Sequence, residues 1–182
     1  RPLLVLAASE LGEANQNAVE QAMAAIEMVH VYSLVHDDMP AMDNDSLRRG
    51  KPTCHVQYDE ATALLVGDAL QTQAFDVLSR PTGLPAERQL AMLSTLAQAS
   101  GSLGMAGGQA IDLANVGKAM NQAELEQMHS LKTGALIRAA VALGALSCPD
   151  LTPAQIQTLD RYAAKLGLAF QVIDDVLDCE AD

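Results

Sequence analysis

Apolar residues advance by threes and fours through Val19, Met23 and Ile26, and the same stripe continues as His30, Ser33 and Asp37. That period marks one face of a helix, and the face turns polar toward its C-terminal end. Near the other end of the chain, Gln171, Asp174, Asp175 and Asp178 fall at i, i+3, i+4 and i+7 on one face of a second helix. Its opposite flank carries Leu168, Val172, Val176 and Cys179, and the preceding Leu166-Gly167-Leu168-Ala169-Phe170 reads as buried. Patterning and breakers together predict helices over 2–11, 16–38, 57–79, 86–113, 122–147 and 153–180. The breaks fall at Pro40, Pro52, Arg80-Pro81-Thr82-Gly83, Cys148-Pro149-Asp150 and Thr152-Pro153. No linker or low-complexity stretch divides the chain, and nothing repeats beyond the two acidic groups, so one all-helical domain over 1–182 is expected.

Composition supports that fold class. Hydrophobic residues make up 49% and aromatics only 3%, and alanine and leucine abound, which favours all-α architecture in packed layers. The longest uncharged run, Gln89 to Ile111, could span a bilayer by length, but Ser, Gln and repeated Gly interrupt it. It reads as a buried central helix, and no membrane span is expected. The net charge of −12, from 23 acidic and 11 basic residues, argues against a nucleic-acid partner. Cys54, Cys148 and Cys179 fit no zinc spacing and suggest reduced thiols in the cytoplasm.

The acidic groups carry the chemistry. Carboxylates that share a low-dielectric cleft repel one another and need cations or protons. Clustered Asp without His or Cys points to a hard ion, with Mg²⁺ the usual choice where phosphate completes the coordination. Asp37 and Asp43 are too far apart for one helical face, but Pro40 forces a turn that could fold Asp43 back beside Asp37. An EF-hand loop starting at Asp43 fails, because Arg48 stands at its glycine position and Cys54 at its closing glutamate. Arg48-Arg49-Gly50-Lys51 follows immediately and places fixed positive charge beside the proposed metals, a combination suited to diphosphate.

These residues together resemble the trans-type isoprenyl diphosphate synthases, most closely the bacterial farnesyl diphosphate synthases. The resemblance rests on Ser33-Leu34-Val35-His36-Asp37-Asp38-Met39-Pro40-Ala41-Met42-Asp43, on Leu47-Arg48-Arg49-Gly50-Lys51-Pro52-Thr53, and on Gly67-Asp68-Ala69-Leu70. It continues through Gly108-Gln109-Ala110-Ile111-Asp112-Leu113, Lys132-Thr133-Gly134-Ala135-Leu136, and Phe170-Gln171 with Asp174, Asp175 and Asp178. The landmarks occur in family order along nearly the whole chain.

The resemblance implies an isoprenoid synthase-type helical bundle around a central cavity. It implies metal sites at Asp37, Asp38, Asp43, Asp174 and Asp178 holding three Mg²⁺ ions, with Asp37 and Asp43 as the principal ligands and Asp38 in support. Arg48, Lys132 and Gln171 would contact the allylic diphosphate, and Arg1, His30 and Arg49 that of isopentenyl diphosphate. Thr133 and the Lys132 carbonyl would face the allylic cation, with Gln109 and Asp112 behind them. Asp37, Asp38, Asp43, Lys132, Thr133 and Asp174 would form the catalytic group. Tyr32, five residues before Asp37, would block the cavity and favour a farnesyl product; a geranylgeranyl or other short-chain product is the alternative. A class I terpene cyclase and a non-catalytic helical subunit are weaker readings. The resemblance further implies a homodimer, and Arg1 matches the arginine of a Gly-Lys-x-x-Arg-Pro element, so the domain is expected to continue beyond both ends.

Overall fold

A computed structural model describes residues 1–180, apart from the side chains of residues 174, 175 and 178–180. Helices α1 (Pro2–Ser9) and α2 (Gln16–Asp37) lead into a hairpin of β1 (Leu47–Arg48) and β2 (Lys51–Pro52). Then come α3 (Cys54–Gln57), α4 (Glu60–Ser79), α5 (Ala86–Ser100), α6 (Met105–Asn115) and α7 (Gln122–His129). A π-turn, Ser130–Gly134, joins α7 to α8 (Ala135–Leu146), and α9 (Pro153–Glu180) follows.

The helix starts are written locally. The Asn15 side chain accepts a hydrogen bond from the Ala18 amide, and Asp59 does the same for Thr62, satisfying amides that have no partner within the first turn. Asn121 and Glu124 form a reciprocal capping box. Helix α8 is apolar except for Arg138, with Leu136, Ala140, Leu143 and Ala145 wholly buried. It accordingly occupies the centre, packed against α1, α2, α5 and α9. The most extensive helix pairing is that of α2 with α4. Val19, Ile26 and Val29 of α2 enter one core with Leu78, Met92, Leu96, Leu136 and Leu143.

Several expectations need correction. The helix expected over 86–113 is two helices, because Gly101 adopts an extended backbone and Gly104 opens α6 after a tight turn. The helix over 57–79 starts at Glu60, where Asp59 supplies a new cap. The stretch 122–147 is interrupted by the π-turn. Leu168 and Phe170, read as buried, are 48% and 53% exposed on α9. The hairpin was not anticipated: Leu47 pairs with Pro52 and Arg48 with Lys51, and Arg49 and Gly50 both adopt positive φ (52° and 75°), the requirement of a type I′ turn. No helix among the described residues is long and apolar enough to cross a membrane.

Arg88 staples α5 to the turn between α8 and α9. Its guanidinium donates to the carbonyls of Cys148 (2.8 Å), Pro149 (3.0 Å), Leu151 (3.0 Å) and Leu146 (3.4 Å). Arg88→Met keeps the apolar stem and strands these acceptors, so a loss of about 2–3 kcal/mol is expected. The urea unfolding midpoint measures it, and an unchanged midpoint would show that solvent replaces the staple without cost.

Candidate active site

Asp37 is the last residue of α2, where the helix dipole already presents partial negative charge. The chain then reverses, as Pro40 predicted. The Met42 amide donates to Met39 O at 2.9 Å, and the Asp43 amide to Asp37 O at 2.9 Å, which returns Asp43 beside Asp37. Burial pushes the Asp37 carboxyl up to about 6; Lys132 and Arg48 oppose the rise, while Asp43 and Asp38 add to it. A carboxylate held in such a position gains from a cation.

The second aspartate behaves differently. Asp38 is 3% exposed, and the Arg48 fork grips both its oxygens, Nε at 3.0 and 2.9 Å and Nη2 at 2.6 Å. Neither residue lines the cavity beside Asp37. Expected as a metal ligand and a diphosphate contact, the two bind each other here and tie the hairpin to the end of α2.

The cavity has a volume of about 390 Å³ and brings together Arg1, His30, Tyr32, Asp37, Lys132 and Thr133. These come from α1's cap, α2 and the π-turn, regions far apart in sequence. Leu34, Met105 and Leu113 supply apolar wall. His30 is pushed down to about 4 by burial first, then by the positive charges of Arg1, Arg49 and Arg48, so its imidazole is neutral at pH 7. Arg1 lines the cavity with the neutral imidazole, and Arg49 and Arg48, though outside the lining, add to the positive field there, which suits an anion. Burial also depresses the Arg1 guanidinium, against the pull of Glu27.

Lys132 reaches Asp112 of α6 at 2.5 Å. The π-turn delivers it: a five-residue turn bulges the backbone between α7 and α8 and aims Lys132 and Thr133 at the cavity. Gln109, also lining the cavity, is buried, and its amide nitrogen lacks a hydrogen-bond partner among the described residues. Arg1 Nε shares that condition. Orphaned buried donors facing a cavity suit an acceptor-rich ligand.

Asp43, Arg49 and Gln171 do not line this cavity, although Gln171 is buried on α9. The side chains of Asp174, Asp175 and Asp178 lie outside the described residues. Among the described residues no group of three metal-binding side chains forms, so the first motif supplies only part of a coordination shell. Its hard carboxylate oxygens and the desolvated Asp37 nevertheless fit Mg²⁺ completed by phosphate. The ion pairs Asp38–Arg48 and Lys132–Asp112 escaped the sequence reading, since neither follows from a helical period.

The chain matches the family model described as polyprenyl synthetase over residues 1–182. It is 50% identical over 183 residues to a farnesyl diphosphate synthase of Haemophilus influenzae and 52% identical over 185 residues to that of Escherichia coli. In each case all of this chain is covered but only 62% of the relative's length, so it spans about three-fifths of these proteins. A Legionella pneumophila geranyltransferase structure superposes with a TM-score of 0.94 at 43% identity, covering 100% of this chain and 65% of that one. The geranyltransferase of Helicobacter pylori, solved with magnesium and isoprenyl diphosphate, superposes with 0.91 at 36% identity, covering 100% and 62%. An acidic helix end, a histidine beside an arginine and a π-turn lysine thus share one cavity in a chain matched from end to end, and that chain belongs to the polyprenyl synthetase family.

Proposed function

We propose that this chain carries the catalytic cavity of a Mg²⁺-dependent prenyltransferase that condenses isopentenyl diphosphate with dimethylallyl or geranyl diphosphate to give farnesyl diphosphate. The observation that carries the reading is the lining of the cavity. Asp37, Lys132, Arg1 and His30 line it together, and Tyr32, five residues before Asp37, lines it as well and is 8% exposed within the apolar core.

In this reading Asp37 and Asp43, with Asp174 of α9, hold the magnesium, for which three ions are proposed. Bound magnesium supplies the positive charge that stabilises a departing diphosphate. Lys132 adds fixed positive charge there, and Thr133 and the Lys132 carbonyl face the allylic carbon as its C–O bond breaks. Arg1, His30 and Arg49 orient isopentenyl diphosphate so that its double bond forms the new C–C bond, and a proton then leaves to the released diphosphate. Arg48 acts by fixing Asp38 and the hairpin. The apolar wall keeps water from the cation. Gln171 and Asp178 complete the diphosphate and metal contacts from α9.

The proposal includes a homodimer in the cytoplasm; the free thiols of Cys54 and Cys148 agree with a reducing compartment. A 45% identical relative, a geranylgeranyl diphosphate synthase of Cyanophora paradoxa, keeps the longer product as the second reading.

The test incubates the full-length protein with isopentenyl and geranyl diphosphates, with Mg²⁺ or EDTA, and identifies products by mass spectrometry. Farnesyl diphosphate formed only with metal supports the proposal, and absence of condensation sinks it. Tyr32→Ala is expected to lengthen the product in the same assay. An unchanged distribution would remove Tyr32 from the role of stopper.

A further inference from the structure

Gly67 sits buried on α4 against the end of α2. A Cβ there would lie 1.9 Å from His36 Nε2, 2.3 Å from Cδ2 and 2.6 Å from Cε1, so the imidazole occupies the space that any other residue would fill. From that notch Nε2 lies 3.1 Å from the Leu64 carbonyl. A carbonyl only accepts, so Nε2 carries the proton and donates. The ring is thereby fixed both in place and in tautomer.

One turn back along α2, Tyr32 meets the same ring edge-on, with centroids 5.8 Å apart and planes at 75°. The side chain of Gln71, one turn beyond Gly67 on α4, lies close enough to the Tyr32 hydroxyl to oppose the upward push that burial gives its pKa. Tyr32 and His36 at i, i+4 on α2 therefore match Gly67 and Gln71 at i, i+4 on α4, forming two rungs between antiparallel helices. Both aromatic residues line the 390 Å³ cavity. A tyrosine that merely filled the core would need neither rung.

We propose that His36 is a positioning residue: seated in the notch that Gly67 leaves in α4, its ring holds Tyr32 in place and so sets how long a chain the cavity accepts. The chain-length half of this inference rests on the prenyl transfer proposed above; the positioning half does not. A direct contact between His36 and a substrate would also alter products, but independently of Tyr32.

The experiment compares full-length wild type, His36→Ala, Gly67→Ala, Tyr32→Ala and the His36→Ala/Tyr32→Ala pair. One readout is the ratio of geranylgeranyl to farnesyl diphosphate made from isopentenyl and geranyl diphosphates. The other is the Tyr32 signal in ring-¹³C-tyrosine NMR spectra, which needs no turnover. Removing or expelling the ring should raise the product ratio about fivefold, the size of effect of one lost edge-to-face contact. It should also shift the Tyr32 signal, and the double variant should give no longer product than Tyr32→Ala alone. A wild-type product ratio in folded His36→Ala, or a longer product in the double variant than in Tyr32→Ala, overturns the inference. An unmoved Tyr32 signal in both His36→Ala and Gly67→Ala overturns it as well. If wild type condenses nothing, the functional reading fails, and the NMR arm still decides whether His36 positions Tyr32.

Discussion

Asp37→Asn is expected to yield a protein that is more stable without ligand and almost inactive. The carboxyl titrates near 3.8 in an unfolded chain and at about 6 in the fold, chiefly because it is buried. Between those pH values the folded state holds more protons than the unfolded one. The contribution of this group to stability is therefore fully present below pH 3.8 and is lost as pH rises through 6. At pH 7 Asp37 is an ionised group at a helix C-terminus beside Asp43, and neutral Asn removes that repulsion. Allowing for residual solvent, the gain should be about 1–2 kcal/mol, and it should shrink as the pH is lowered to 4. The cost is catalytic. Loss of a principal metal ligand should reduce condensation about a thousandfold, the scale of removing preorganised charge stabilisation. Thermal unfolding at two pH values and the condensation assay read the two halves separately. A variant that is less stable at pH 7, or that retains most of its activity, would show that Asp37 is satisfied by protein groups rather than poised for a cation.

Gly108→Ala should be the most damaging single methyl added near the cavity. A Cβ on Gly108 would lie 2.2 Å from the Lys132 backbone nitrogen, 2.6 Å from its Cα and 2.8 Å from the Leu131 carbonyl carbon. These are backbone atoms, so no rotamer change relieves the contact; α6 and the π-turn must move apart. Overpacking of this kind costs about 1–3 kcal/mol. It would also shift Lys132 away from Asp112 and Asp37, and a misplacement of about 1 Å can cost on the order of a hundredfold in rate. Equilibrium unfolding and single-turnover condensation measure the two effects. Wild-type values in both would mean that the turn has slack that the close approach does not suggest.

The parts legible in the sequence are those set by local period and local chemistry. The stripe from Val19 to Asp37 is one face, its apolar half is in the core, and its polar half lines the cavity. Pro40 does turn the chain so that Asp43 returns to Asp37. The parts that were not legible depend on partners distant in sequence. Asp38 could be read only as a sibling of Asp37, because nothing in its spacing shows the Arg48 fork across the hairpin. Lys132 and Asp112 meet only once α6 packs on the π-turn. The break at Gly101–Gly104 is hidden from hydropathy, in which an uncharged run looks continuous, and only glycine's weak helix propensity marks it. Leu168 and Phe170 followed the rule that apolar runs are buried, but exposure depends on what covers a helix, and no element among the described residues covers that face of α9.

A π-turn is an α-helix carrying one residue too many. Deleting a single residue between Ser130 and Gly134 would allow α7 and α8 to fuse into one uninterrupted helix with better local hydrogen bonding. It would also rotate all that precedes the deletion by about 100° around the axis, carrying Lys132 off the cavity. The lysine's aim is thus encoded in chain length as much as in residue identity. Across homologous sequences this segment should tolerate exchanges at its outward positions far more readily than insertions or deletions, and a gap in an alignment there would signal lost chemistry before any substituted residue did.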